Sequence, residues 1–123
     1  MLLPLDENIG IEIQKMLFGY DTKSIRDMGW LGKKNGELMG LISENDFDIF
    51  ISTDKNLPYQ QNLSKLTYGL WILDTPKNDV NTLKLFVPLI IQDIEKLKGQ
   101  KPETDLKYII VEGFSTGKKK RKV

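Results

Sequence analysis

Four acids in this chain are placed to do chemistry together: Asp6, Glu37, Asp54 and Asp74. Asp6 follows the apolar run Leu2-Leu3-Pro4-Leu5, Asp54 follows the run Phe47 to Ser52, and Asp74 follows Leu70-Trp71-Ile72-Leu73. Glu37 opens the helical stretch that comes after Asp21 to Ile25. If the runs are parallel strands, their carboxyl ends and the first turns of the next helices share one edge. In open α/β sheets that edge is where ligands and metals bind. Carboxylates held close repel one another and gain from a divalent cation. All-oxygen ligands suit Mg²⁺ or Mn²⁺. Such an ion supplies an activated water and stabilises phosphate charge during hydrolysis. Asp6, Glu37 and Asp54 are therefore the expected metal-binding and catalytic set, with Asp74 as a looser fourth ligand.

Simpler roles compete with this one. Asp6 and Asp54 are good helix caps. Glu37 in a first helical turn interacts well with the helix dipole without any ligand, and Asp74 before Thr75-Pro76 suits a turn. Asp46 and Asp48 flank the start of the third strand, at the opposite edge, and fall outside the set. It is the joint placement of Asp6, Glu37 and Asp54 that points to a site.

Two absences narrow the chemistry. The 123 residues contain no cysteine and no histidine. Disulfides, thiol nucleophiles, Ser-His-Asp triads and His- or Cys-ligated zinc are thereby excluded. Of the 18 Lys and Arg, five lie in Lys118-Lys119-Lys120-Arg121-Lys122. The remaining 13 face 17 Asp and Glu, so the rest of the chain carries a net charge of −4. A mildly acidic body with a basic tail differs from a uniformly basic nucleic-acid binder. No apolar run approaches the roughly 20 residues that cross a bilayer, and the Met-Leu-Leu-Pro start lacks a basic n-region. The expected location is cytoplasmic, with no membrane partner.

Apolar periodicity supplies the elements that must position the acids. After the first strand, Ile9, Ile13, Met16 and Leu17 predict a helix from about Ile9 to Phe18, capped by Asn8 or Asp6 and stopped by Gly19. Asp21 to Ile25 reads as a polar strand at or near an edge. Leu38, Leu41 and Ile42 predict a helix from about Asn35 to Glu44. The almost continuous run Phe47 to Ser52 suits a strand covered on both faces. A short helix or turn follows Asp54, then the strand Leu70 to Leu73. Asp79 to Lys98 reads as the longest helix, with a break near Phe86 imposed by Pro88. Tyr108 to Val111 is the last strand. The alternation predicts one α/β domain with a mostly parallel sheet, helices on both faces and right-handed crossovers.

The residues also fit a known pattern. Leu5-Asp6-Glu7-Asn8, the segment Met28-Gly29-Trp30-Leu31-Gly32-Lys33-Lys34-Asn35-Gly36-Glu37-Leu38, and Thr53-Asp54-Lys55-Asn56-Leu57 with Tyr59-Gln60-Gln61-Asn62-Leu63 resemble the small PIN-like proteins of bacterial toxin–antitoxin operons. The similarity runs from the start to about Leu97. It implies a PIN-like domain over residues 1–112; residues 113–123 read, from their own composition, as a basic, disordered tail. It also implies that Asp6, Glu37 and Asp54 match the family's acidic metal positions. The implied activity is that of a Mg²⁺- or Mn²⁺-dependent endoribonuclease, a VapC-like toxin of a type II pair. Its partners would be RNA as substrate and a small DNA-binding antitoxin, and a homo-oligomer is compatible with the pattern. On that reading Lys33, Lys34, Lys55, Gln60 and Gln61 contact RNA, although each also suits an ordinary solvated surface. Trp30 and Tyr59 could stack on a base, with core or partner packing favoured for Trp30. Many PIN nucleases carry a fourth acid, for which Asp74 is only a loose match, and residues 102–123 fall outside the similarity.

Two other classes fit parts of the sequence. A phospho-accepting receiver-like domain has the same length, alternation and acid placement, with Asp54 as the acceptor. Such domains place a Lys after the last strand, which is not evident after Val111. A non-catalytic partner-binding subunit would use its acids as caps and present Trp30, Tyr59 or a helix stripe to its partner. The basic tail resembles a nuclear import signal but equally suits a phosphate-attracted or solubilising arm.

Overall fold

A computed structural model of the chain describes residues 2–60, 64, 66–97 and 99–111. The elements run β1 (Leu2–Leu5), α1 (Ile11–Met16), β2 (Asp21–Ser24), α2 (Asn35–Glu44), β3 (Ile49–Ser52) and α3 (Leu57–Gln60). Then come β4 (Gly69–Leu73), α4 (Val80–Leu83), a 3₁₀ turn (Lys84–Phe86), α5 (Val87–Leu97) and β5 (Leu106–Ile109). The strands form one five-stranded sheet in the order β2-β1-β3-β4-β5, and every pairing is parallel. This is the α/β architecture that the alternating pattern predicts. Among the described residues, no helix is long and apolar enough to cross a membrane.

Period-2 alternation divides the core between the two faces of the sheet. Leu3, Leu5, Ile49, Ile51, Trp71 and Leu73 pack with Ile13 of α1 and with Phe86, Ile90 and Ile94 from the last helical segment. Phe50, Leu70, Ile72 and Leu106 pack on the other face with Leu38, Met39 and Ile42 of α2 and with Leu57. β3 is buried at every residue, as its continuous apolar run requires. The edge strand β2 is Asp-Thr-Lys-Ser, polar and partly exposed, which discourages pairing with another chain.

The central position of β1 leaves a mark. Leu2 accepts from the Asp48 N–H and the Asp6 N–H donates to Ile51, so even-numbered residues of β1 face β3. Pro4 shares that side and has no N–H to give. The β1–β3 ladder is accordingly short, with Leu5 opposite Ile51. Tight packing on the α1 and α5 face offsets the missing bond: Leu3 and Leu5 are at most 1% exposed.

Element boundaries shift for local reasons. α1 begins at Ile11 rather than Ile9, because Gly10 sits at φ 81°, outside the helical region. Ile9 is buried all the same. The predicted long helix is broken near Phe86 as expected: the chain tightens to a 3₁₀ turn, and α5 starts with Pro88 in its first turn. There a missing N–H costs no intrahelical bond. β5 lies two residues earlier than predicted, paired through Leu70 opposite Leu106.

The crossovers differ from expectation in one place. The β1–β2 connection moves one way across the sheet and the β4–β5 connection the other, yet α1 and α4–α5 cover the same face. For parallel strands this makes their hands opposite. The β2–β3 and β3–β4 connections, through α2 and α3 on the other face, share the hand of β1–β2. Three crossovers thus share one hand and β4–β5 has the opposite one, so the four do not all follow a single right-handed rule.

Candidate functional site

The strand order reverses between β1 and β3, and Asp6 and Asp54 follow those two strands. They flank the topological switch point, the crevice where open α/β sheets bind their ligands. Asp6 is 7% exposed. Its Oδ2 accepts from the Ser52 hydroxyl at 2.6 Å and its Oδ1 from the Glu7 N–H at 2.8 Å. The Asp54 N–H donates to the same Ser52 Oγ at 3.0 Å. Ser52, the last residue of β3 and fully buried, therefore ties the two acid-bearing loops together.

The electrostatics follow from this geometry. Burial pushes the Asp6 carboxyl above its ordinary value. The Ser52 and Glu7 hydrogen bonds pull against that rise, and the charges of Glu7 and Asp54 add to it. Asp6 is thus a carboxylate held in a desolvated place beside another carboxylate, a combination that favours either a proton or a cation. It is not the cap of α1, whose N-cap is Gly10 with no side-chain hydrogen bond.

Asp54 combines the two roles considered for it. Its Oδ1 accepts from the Asn56 N–H at 2.9 Å, a cap-like bond at the turn into α3. Its Oδ2 accepts from Asn35 Nδ2 at 3.3 Å, and the same amide donates to Gln60 Oε1 at 2.7 Å. Asn8 Nδ2 donates to Thr53 Oγ1 at 3.0 Å, joining the β1–α1 loop to the end of β3.

The other predicted acids are placed differently. Glu37 lies in the first turn of α2, two residues after Asn35, but its side chain is 57% exposed and meets Lys33 at 3.7 Å. Asp74 is 3% exposed and pairs with Lys55 at 3.0 Å. Two of the four acids are thus bound to lysines. Among the described residues no group of three or more acidic, His or Cys side chains is assembled for a metal ion. The structure links Asp6 and Asp54 through Ser52 and leaves Glu37 exposed and paired with Lys33. The fit to a divalent cation rests on the chemistry of the pair. Mg²⁺ takes only one or two protein carboxylates and keeps several waters, which Asp6 and Asp54 can satisfy.

Of the expected RNA contacts, Lys33 pairs with Glu37 and Lys55 with Asp74. Lys34 is the N-cap residue of α2, and Gln60 accepts from Asn35. Gln61 and the tail residues 113–123 lie outside the described residues. Trp30 meets Phe47 edge-to-face at 6.2 Å, in line with packing rather than open stacking. Tyr59 is 61% exposed.

Sequence reasoning overlooked Ser52, Asn35 and Asn8. Ser52 carried a signal. It occupies the same face as Phe50 in an otherwise apolar buried strand, and a small polar side chain there needs a partner. Asn35 and Asn8 carried none, because their partners are remote in sequence. Comparison with protein-family models, curated proteins and solved structures yields no match to this chain.

Proposed function

We propose that this chain is a metal-dependent ribonuclease of the PIN-like type, acting as the toxin of a toxin–antitoxin pair. The observation that supports it is the Asp6–Ser52–Asp54 arrangement at the switch point. A carboxylate is kept buried beside a second one, at a cost that a bound cation would offset. In this reading Asp6 and Asp54 would hold Mg²⁺ or Mn²⁺, and Glu37, paired with Lys33, is not a ligand. When bound, the ion supplies Lewis acidity and an activated water for phosphodiester hydrolysis. The chain's own residues do the rest. Ser52 fixes both acid loops, and Asn35 orients Asp54 through its amide. Asp6, desolvated, binds a cation in preference to solvent. Lys33 and Lys34 lie at the start of α2, where they can meet the RNA backbone. A small DNA-binding antitoxin would be the partner.

The test is cleavage of single-stranded RNA with Mn²⁺ by the wild type, Asp6→Asn and Asp54→Asn. The expected result is cleavage by the wild type and a loss of at least about a hundredfold in each variant. Equal rates in all three would remove this pair from any reaction.

The strand order favours one rival, the receiver-like reading. Order β2-β1-β3-β4-β5 with Asp54 after β3 and Asp6 after β1 is also the layout of phospho-accepting domains. The residues described after β5 are Ile110 and Val111, neither able to supply the expected lysine. Incubation with a small acyl-phosphate donor distinguishes the two, since only the receiver reading expects a phosphoryl group on Asp54.

A further inference from the structure

The ion pair between Lys55 and Asp74 stands apart from the others in the described residues. Lys33–Glu37 joins two partly exposed side chains, and Asp93, which meets Lys96 and Lys107, is 15% exposed. Asp74 is 3% exposed and its contact with Lys55 is 3.0 Å. A carboxylate so buried needs a compensating charge. Lys55 supplies it from the next strand over: β3 and β4 run in register, with Ser52 opposite Ile72. Asp74 itself is anchored by its N–H to Ile109 of β5.

The lysine is not consumed by this pairing. Its side chain is 42% exposed, and an ammonium carries three donors, of which one contact occupies one. Lys55 directly follows Asp54 after β3 and its ammonium meets Asp74 after β4, so the cation stands at the strand end next to the acidic pair, adjacent strands being about 4.8 Å apart. A free lysine must give up much rotamer freedom to grip a phosphate. One whose ammonium is already held by a buried carboxylate has given up that freedom in folding.

We propose that Lys55 is the phosphate-gripping cation of the Asp6–Asp54 site and that Asp74 is its positioning residue, not a metal ligand. The ligand is a backbone phosphate of single-stranded RNA, so the assignment rests on the ribonuclease reading for its substrate class. The contact is made to the backbone, so it carries no base preference.

The experiment measures binding of a labelled single-stranded RNA to the full chain in chelator, from 50 to 200 mM salt. It compares wild type, Lys55→Met, Lys55→Arg, Asp74→Asn and the Lys55→Met/Asp74→Asn double variant. Charge counting alone expects Asp74→Asn to bind more tightly, because it removes a negative charge. Positioning expects the opposite, a loss of about fivefold at 200 mM salt, where long-range attraction is screened. Lys55→Met should lose at least as much on every RNA sequence and lower the salt slope by about one. Lys55→Arg should retain most of the binding, and the double variant should be no weaker than Lys55→Met. Wild-type or tighter binding by Asp74→Asn overturns the proposal, as does absence of RNA binding by the wild type. Circular dichroism of each variant checks folding, and if Lys55→Met unfolds, Asp74→Asn and Lys55→Arg carry the comparison. Binding without Mn²⁺-dependent cleavage would refute the nuclease reading and leave the phosphate grip standing. Cleavage with an unchanged Asp74→Asn would do the reverse.

Discussion

Ser52→Ala is the perturbation that bears most directly on the site, because one fully buried hydroxyl serves both acid loops. The substitution removes a hydrogen bond to a charged, 7% exposed carboxylate, worth about 1.5–3 kcal/mol. It also leaves the Asp54 N–H without its acceptor, at about 1 kcal/mol. Alanine opens little extra space, so the loss should total about 2.5–4 kcal/mol. For 123 residues an unfolding entropy of about 2.1 cal/mol/K per residue makes each kcal/mol worth about 4 °C. Tm should therefore fall by about 10–16 °C. The pH dependence gives a second check. Burial already holds the Asp6 carboxyl above its ordinary 3.8, and Ser52 opposes that rise. Without Ser52 the folded-state value climbs further. A raised carboxyl costs stability above its folded pKa, and that cost is relieved as pH falls through it toward the unfolded value. The penalty of Ser52→Ala should thus be largest near neutral pH and shrink on acidification. Denaturation at several pH values, with carbon-detected titration of Asp6, measures both. A loss below about 0.5 kcal/mol with Asp6 titrating as before would refute the coupling.

Asp6→Asn should match or exceed the wild type in Tm at pH 7, because it removes a desolvated charge. An asparagine there can accept from Glu7 N–H and donate to Ser52 Oγ. The gain should fade as pH falls through the raised Asp6 value toward 3.8. The same variant should lose Mn²⁺ binding in calorimetry, and a variant that is destabilised yet still binds metal would contradict the account. Gly69→Ala should destabilise by about 1–3 kcal/mol in urea, since an added Cβ would meet the Glu103 carbonyl at 3.0 Å and Trp71 Nε1 at 3.4 Å. An unchanged midpoint would mean that the segment carrying Glu103 yields freely.

Much of the fold was legible in the chain because its signals are local. The run Ile49 to Ser52 is apolar enough to declare a strand covered on both faces, and all four of its residues are buried. Polar Asp21 to Ser24 declared an edge, and Pro88 declared the break between α4 and α5. Asp6 and Asp54 could be placed at one sheet edge by parity and alternation alone.

What the chain could not display was which strands are neighbours and where long side chains turn. Periodicity says that a residue is buried but not against what. Strand order put Asp6 beside Asp54, and Ser52 joined them. The same order set β4 beside β3, which delivered Asp74 to Lys55 instead of to the acidic pair. Glu37 begins α2 as expected, but its flexible, exposed side chain met the lysine one turn earlier. The hand of the β4–β5 crossover likewise depends on which face the broken α4–α5 segment covers. Local sequence determined the elements and the edge at which the acids emerge. Partner choice came from strand order and face, through contacts between residues 19–46 positions apart, whose energies exist only once the sheet has formed.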